Sequence, residues 1–83
     1  MLNREEIQKQ VKELISEHLA IDPAKVTDTA NLVADLQADS LDLVELVMAL
    51  EQKFDIEATD EETEKMQTVS KIIDLVEEKL SKK

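Results

Sequence analysis

Apolar residues recur at the spacing of an α-helix in three long stretches of this chain, and no stretch of useful length alternates as a β-strand does. The three stripes are Ile7, Val11, Leu14, Ile15 and Leu19, then Leu43, Leu46, Val47, Leu50 and Phe54, and finally Val69, Ile72, Ile73, Val76 and Leu80. Each stripe gives a helix one face to bury against its neighbours. The pattern predicts an all-α fold, a small four-helix bundle of three longer helices and one short one.

Residues that commonly cap helices precede each predicted helix. The predicted caps are Asn3, Asp39 or Ser40, Thr59 and Thr68. Glu6 and Glu62 stand three residues after the first and third of these, as in a capping box, and Leu2 and Ile7 form a candidate hydrophobic staple. The first three helices are expected to end near residues 19, 53 and 65.

Residues 20–38 show no sustained period and are expected to form one long loop between the first and second helices. Four apolar residues in it are candidate anchors to the core: Ile21, Val26, Leu32 and Leu36. A loop of this length in a compact domain is usually functional or disordered, and the anchors argue against disorder. The length suits a single domain over residues 1–83.

The composition excludes several classes of protein. There is no cysteine for a disulfide or a thiolate zinc site, and the single histidine, His18, provides neither a His cluster nor a Ser-His relay. We therefore predict no specific metal site. No apolar run approaches the roughly 20 residues of a membrane span, and no signal-peptide pattern opens the chain. These absences predict a cytoplasmic protein without membrane insertion.

The formal net charge of −10 is concentrated in the middle of the chain. Residues 27–64 hold twelve acids and one base, Lys53, which makes that segment −11. Such a charge repels nucleic acid phosphates and anionic lipids, so basic proteins are the expected partners. A solvated acidic surface without a partner is the alternative.

The second helix carries more apolar residues than its core face needs. At about 100° per residue from Ser40, the residues Leu41, Val44 and Met48 fall at about 100°, 40° and 80°, away from the core stripe. The carboxylates that border this second stripe are Asp42, Glu45 and Glu51. The arrangement favours a docking surface for a basic partner with an apolar groove, unless neighbouring helices cover the stripe.

Ser40 has no chemistry of its own to offer at this position. It lies between Asp39 and Asp42 with no histidine nearby in the sequence, and carboxylates do not lower the pKa of an alcohol. Without further context, Asp39 and Ser40 are explained as helix caps.

The run from Asp39 to Glu51, which reads Asp-Ser-Leu-Asp-Leu-Val-Glu-Leu-Val-Met-Ala-Leu-Glu and is followed by Phe54-Asp55-Ile56, resembles the acyl carrier proteins of type II fatty acid synthesis. The resemblance extends over nearly the whole chain, including the helix order and the Thr68-Val69 start of the last helix. Three departures affect the loop, the short helix and the interior. Gln37 stands where glycine is common, Ala58-Thr59 replaces Ile-Pro, and Leu75 stands where tyrosine is frequent.

The resemblance implies that Ser40, flanked by Asp39, is esterified by 4′-phosphopantetheine from coenzyme A. The thiol of that arm then carries fatty acyl chains as thioesters, and the bundle can shelter them. A non-catalytic monomer is implied, which is a substrate of a phosphopantetheinyl transferase (holo-acyl carrier protein synthase). Its further partners would be fatty acid synthesis enzymes and acyltransferases with basic docking patches.

Two alternatives stay open. A carrier of the same fold can serve another pathway, such as polyketide synthesis or D-alanine transfer, because the partner enzymes decide the cargo. An acidic interaction or ion-buffering bundle that is never modified belongs to a different class altogether.

Overall fold

A computed structural model describes residues 3–82 as four α-helices with one 3₁₀ turn. The helices are α1 (Arg4–Leu19), α2 (Ser40–Phe54), α3 (Asp60–Glu64) and α4 (Val69–Ser81), and the 3₁₀ turn covers Pro23–Lys25. No β-strand occurs within these residues. The all-α prediction of three longer helices and one short helix is confirmed, whereas the 3₁₀ turn was not predicted. The expected staple between Leu2 and Ile7 lies outside the described residues.

The predicted caps hold the helix starts in place, with one difference. Thr59 and Glu62 form the full reciprocal box at α3. At α1 the Asn3 side chain accepts the Glu6 N–H at 2.9 Å, and among the described residues Glu6 does not complete the pair. The start of α1 is therefore capped by one side-chain bond instead of a reciprocal pair.

The core lies where the three longer helices meet, with α1 packed against both α2 and α4. Each contributes the buried part of its predicted stripe: Ile7, Val11 and Ile15 from α1, Leu46, Val47, Leu50 and Phe54 from α2, and Val69, Ile72, Ile73 and Val76 from α4. The predicted core residue Leu43 is only half-buried. No helix within residues 3–82 has the length and apolar character needed to span a membrane.

The long loop is tied to the core by side chains and to α4 by its backbone. Val26, Leu32 and Leu36 are buried as predicted, and Ile21 is partly buried against the core. The N–H of Leu32 donates to the Gln67 carbonyl at 2.9 Å, beside an antiparallel bridge between Asn31 and Thr68. Two further backbone bonds run from Val69 to Ala30 and from Ser70 to Asp28. The loop is thereby held across the start of α4 and delivers the chain to α2 in a defined position.

Candidate functional site

Ser40 is the first residue of α2, and its surroundings are rigidly built. The Asp39 carboxylate accepts the Asp42 N–H at 2.8 Å, and the Asp42 carboxylate accepts the Asp39 N–H at 3.2 Å. This reciprocal capping box fixes the backbone on both sides of Ser40. Ser40 itself is exposed, and within residues 3–82 its hydroxyl makes no hydrogen bond. The site therefore presents a free primary alcohol on a fixed helix end.

The end of α2 suits an anion attached to that hydroxyl. The capping box uses the N–H of Asp42, while the N–H groups of Ser40 and Leu41 have no partner among the described residues. Unpaired N–H groups and the positive end of the helix dipole favour a phosphate at this position. A phosphodiester on Ser40 fits the site on this ground, without any need for a basic side chain.

The residue Gln37, three positions before Ser40, adopts a left-handed backbone conformation with φ 60°. This is the position where the resemblance leads us to expect glycine, and the observed φ supplies the physical reason, because only glycine adopts it without steric cost. The next residue, Ala38, is buried and donates its N–H to the Leu32 carbonyl at 2.8 Å. The turn at Gln37 thus directs the chain from the anchored loop into α2.

The second apolar stripe of α2 is not covered by neighbouring helices. Leu41 is 64% exposed, Val44 51% and Met48 53%. Nearly all other large apolar side chains in residues 3–82 are buried or partly buried, so three neighbours on one helix face form a distinct apolar surface. We call this surface, formed by Leu41, Val44 and Met48, the α2 stripe. The alternative in which the bundle covers it is wrong.

The carboxylates predicted to border the α2 stripe differ in what they contact. Asp39 and Asp42 complete the capping box, and Asp42 is half-buried. The Glu51 carboxylate accepts the Ala58 N–H at 3.1 Å and so holds the connection to α3, a role that sequence reasoning missed. Glu45 is exposed, and its carboxylate makes no hydrogen bond or ion pair within residues 3–82. Glu45 is therefore the carboxylate most available to a partner.

A groove of about 550 Å³ opens directly beside Ser40. One wall comes from α2 with Leu43 and Val44, and the other from the segment Thr63–Gln67 and the loop residues 31–34. Leu43 lines this groove, which explains why it is less buried than its place in the core stripe predicts. Burying a short apolar chain here would remove apolar surface of the chain and of the protein from water.

Val33 is a site residue that sequence reasoning missed. It is 55% exposed and lines the groove together with Val44. The Asn31 side chain accepts the N–H groups of Val33 and Ala34, both at 2.9 Å, so Val33 sits on a fixed turn. Its neighbour Leu32 is fully buried, and the sequence shows only that the two adjacent residues are apolar, not which of them faces the core.

The site lacks the groups that would make Ser40 a catalytic nucleophile. His18 is exposed in the last turn of α1, and no side chain within residues 3–82 hydrogen-bonds to the Ser40 hydroxyl. The described residues also contain no group of three potential metal ligands. The hydroxyl can therefore react only when another molecule supplies the base.

Comparisons with known proteins agree with this arrangement. Residues 9–76 match the family described as the phosphopantetheine attachment site. The chain is 45% identical over 80 residues to an acyl carrier protein of Thermosynechococcus vestitus, which covers 96% of this chain and 99% of that protein. It is 51% identical over 77 residues to an acyl carrier protein of Buchnera aphidicola subsp. Acyrthosiphon pisum. That alignment covers 93% of this chain and 96% of the Buchnera protein. With matches that extend over almost the full length of both chains, this protein belongs to the acyl carrier protein family.

Proposed function

We propose that this chain carries fatty acyl groups on a 4′-phosphopantetheine group esterified to Ser40 and presents them to the enzymes of type II fatty acid synthesis. The observation that carries the proposal is the exposed Ser40 hydroxyl on a capped helix end, in a chain of the acyl carrier protein family. When bound, the group supplies a terminal thiol that holds acyl chains as thioesters. The chain itself, which has no cysteine, contributes no competing thiol.

Ser40 supplies only the oxygen that forms the new O–P bond, while the pyrophosphate P–O bond of coenzyme A breaks and adenosine 3′,5′-bisphosphate leaves. The proton of the Ser40 hydroxyl has to pass to a base on the modifying enzyme, because no base of this chain is within hydrogen-bond reach in the described residues. The capping box of Asp39 and Asp42 holds the hydroxyl in one place for that enzyme. The chain is on this proposal a substrate of a phosphopantetheinyl transferase and not a catalyst.

The α2 stripe and the exposed Glu45 supply the docking surface for that transferase and for the synthesis enzymes. Leu41 and Val44 lie within one turn of Ser40, so a partner docked there has the attachment point at the edge of its footprint. A partner with a basic rim around an apolar patch complements this surface. Electrostatic attraction speeds encounter without tight binding, which suits a carrier that visits many enzymes in turn.

The groove beside Ser40 supplies shelter for the acyl chain. The apolar residues that line it together with Ser40 include Leu43, Val44, Val33 and the buried Met66. Methionine has a flexible apolar side chain that adapts to chains of different length. We propose that the carrier acts as a monomer, since one chain holds the attachment serine, the docking surface and the groove. We also propose that it is cytoplasmic.

A loading experiment tests the fatty acid assignment. The pantetheinylated chain is incubated with malonyl-coenzyme A and a type II malonyl transacylase, and in parallel with D-alanine, ATP and a D-alanine ligase that serves carrier proteins. We expect a malonyl adduct by intact mass spectrometry and none with D-alanine. Absence of the malonyl adduct on a fully pantetheinylated chain, or a D-alanyl adduct, would contradict fatty acid carriage.

A further inference from the structure

The helix α3 forms part of the groove wall but contributes no buried residue to the core. The helix α3 has five residues and none of them is buried. A helix this short has no stability of its own in water. Its position must therefore come from contacts that tie it to other elements.

One ion pair ties α3 to the far end of α4. Lys79 Nζ lies 2.9 Å from Glu62 Oε1, and both side chains are largely shielded, with 26% and 27% exposed. The same Glu62 carboxylate accepts the Thr59 N–H at 2.9 Å and completes the capping box. Glu62 thus links the folding of α3 to its placement, because one carboxylate serves both contacts. Directly before the N-cap of α3, the Glu51 carboxylate accepts the Ala58 N–H.

We propose that Lys79 and Glu62 are positioning residues for the groove: their ion pair fixes the α3 wall and thereby sets how well the groove beside Ser40 encloses a bound acyl chain. The inference deepens the proposed function and rests on it for the acyl chain, but not for the placement of α3. The path from the pair to the groove is short. Glu62 is followed directly by Thr63 and Glu64, which line the groove, and then by the buried Met66.

The chain offers a matched control on the same helix. Lys82 Nζ lies 2.9 Å from Glu78 Oε1, and this exposed pair makes no direct ion pair with α3, although Lys82 attracts the Glu62 carboxylate at longer range. Lys79→Ala and Lys82→Ala remove the same charge and leave the same net charge on the chain. Any difference between them reports the link to α3 and not the loss of a lysine.

The first measurement uses the unmodified chain and reads α3 directly. Hydrogen exchange is followed at the amides of Thr63, Lys65 and Met66, which donate within α3 and its last turn. We expect Lys79→Ala to speed exchange there by about three- to fivefold, Lys82→Ala to change it much less because it has no direct contact with Glu62, and Lys79→Arg to restore protection. Equal exchange in Lys79→Ala and Lys82→Ala would overturn the proposal.

The second measurement reads the groove. Methyl-labelled methionine gives separate NMR signals for Met66, which lines the groove, and for Met48, which is exposed on the α2 stripe. Lys79→Ala is expected to shift or broaden the Met66 methyl and leave Met48 unchanged. If Met66 stays unchanged while the α3 amides exchange faster, the pair holds α3 without setting the groove, and the proposal fails.

A third measurement adds the acyl chain. Each variant is loaded from octanoyl-coenzyme A with a phosphopantetheinyl transferase, and the thioester is cleaved with hydroxylamine. Cleavage of the Lys79→Ala form should be about three- to fivefold faster than that of the Lys82→Ala form. Equal cleavage rates for the two variants would show that the Lys79–Glu62 pair does not affect how well the groove encloses the acyl chain. Failure of every variant to load would instead refute the proposed function, while the first two measurements still decide the placement of α3.

Discussion

The helices α2 and α4 have similar lengths, 15 and 13 residues, yet they use their surfaces differently. Both bury four residues in the core. On its outer side α4 is polar, whereas α2 adds the exposed stripe of Leu41, Val44 and Met48. Burial of one face is sufficient to hold a helix in a bundle. The extra stripe of α2 therefore serves something other than the fold.

The two helices also differ in how many of their charged side chains form ion pairs within the molecule. On α4, Asp74 and Glu77 pair with Arg4 of α1, and Lys79 pairs with Glu62 of α3. Within residues 3–82 no ion pair involves a residue of α2. Among the described residues, every charged side chain of α4 except Lys71 is in an ion pair. On α2 the carboxylates of Asp42 and Glu51 accept backbone N–H groups, and Glu45 is left for a partner outside the molecule. One helix mainly stabilises the bundle, and the other faces the proposed chemistry.

The largest expected difference between the two helices is in stability. Ile73 of α4 is fully buried, and Ile73→Ala should lower the free energy of unfolding by about 3 kcal/mol, because it removes buried apolar surface and leaves a cavity. Val44→Ala on α2 should change it by less than about 0.5 kcal/mol. Urea unfolding of both variants measures this. Similar losses in the two variants would mean that the α2 stripe is part of the core after all.

The next effect is on association. Glu45→Lys should slow transfer of phosphopantetheine to Ser40 on the order of fivefold at low salt, because it opposes a basic partner at the docking surface. Glu17→Lys is the matched control, since Glu17 is exposed on α1 and the substitution changes the net charge equally. Raising the salt concentration should narrow the difference. Equal initial rates of phosphopantetheine transfer for the two variants would show that Glu45 is not part of the docking surface.

Substitutions in the segments that precede α2 and α4 should have smaller effects on the free energy of unfolding. Gln37 before α2 has φ 60°, whereas Gln67 before α4 is not among the described residues of positive φ. Gln37→Gly should raise the free energy of unfolding by about 0.5 kcal/mol, because it relieves the steric cost of the left-handed conformation. Gln67→Gly should lower it by a similar amount through the added freedom of the unfolded chain. Thermal unfolding of the two variants measures these changes. If both substitutions destabilise the chain, the backbone at Gln37 is not strained.

The smallest effect concerns the tie between α3 and α4. The Thr59 N–H, which donates to the Glu62 carboxylate, and the Lys79 side chain lower the pKa of Glu62 from 4.5 to about 2. The ionised carboxylate therefore stabilises the folded state above pH 4.5, and this contribution is lost as the pH falls toward 2. The stability difference between the native chain and Glu62→Gln should shrink over that range. If the stability difference between the two chains does not change with pH, the ionised Glu62 carboxylate does not stabilise the fold.

The sequence predicted what depends on neighbours along the chain. The start of α2 at Ser40, the box of Thr59 and Glu62, and the position of the α2 stripe all follow from local spacing and capping. The missed features join residues that are far apart or depend on packing. The Glu62–Lys79 pair and the backbone bonds between the loop and α4 exist only once the helices are assembled.

The exposure of Val33 has the same origin, because it depends on which side of the loop faces the core. The bond from Ala58 to Glu51 likewise depends on how the chain turns between α2 and α3. Sequence reasoning placed Glu51 at the rim of the α2 stripe from its helical angle alone. Its contact with the backbone shows that a residue can border a surface and still be partly committed to the fold.

On the proposed function, the modified serine is the one at the start of α2. Ser70 provides the comparison, since it lies near the start of α4, is half-buried and has its N–H bonded to the Asp28 carbonyl. The native chain, Ser40→Ala and Ser70→Ala are each incubated with a phosphopantetheinyl transferase and coenzyme A, and their intact masses are measured. We predict one added phosphopantetheine on the native chain and on Ser70→Ala, and none on Ser40→Ala. An unmodified native chain, or a modified Ser40→Ala, would contradict the assignment.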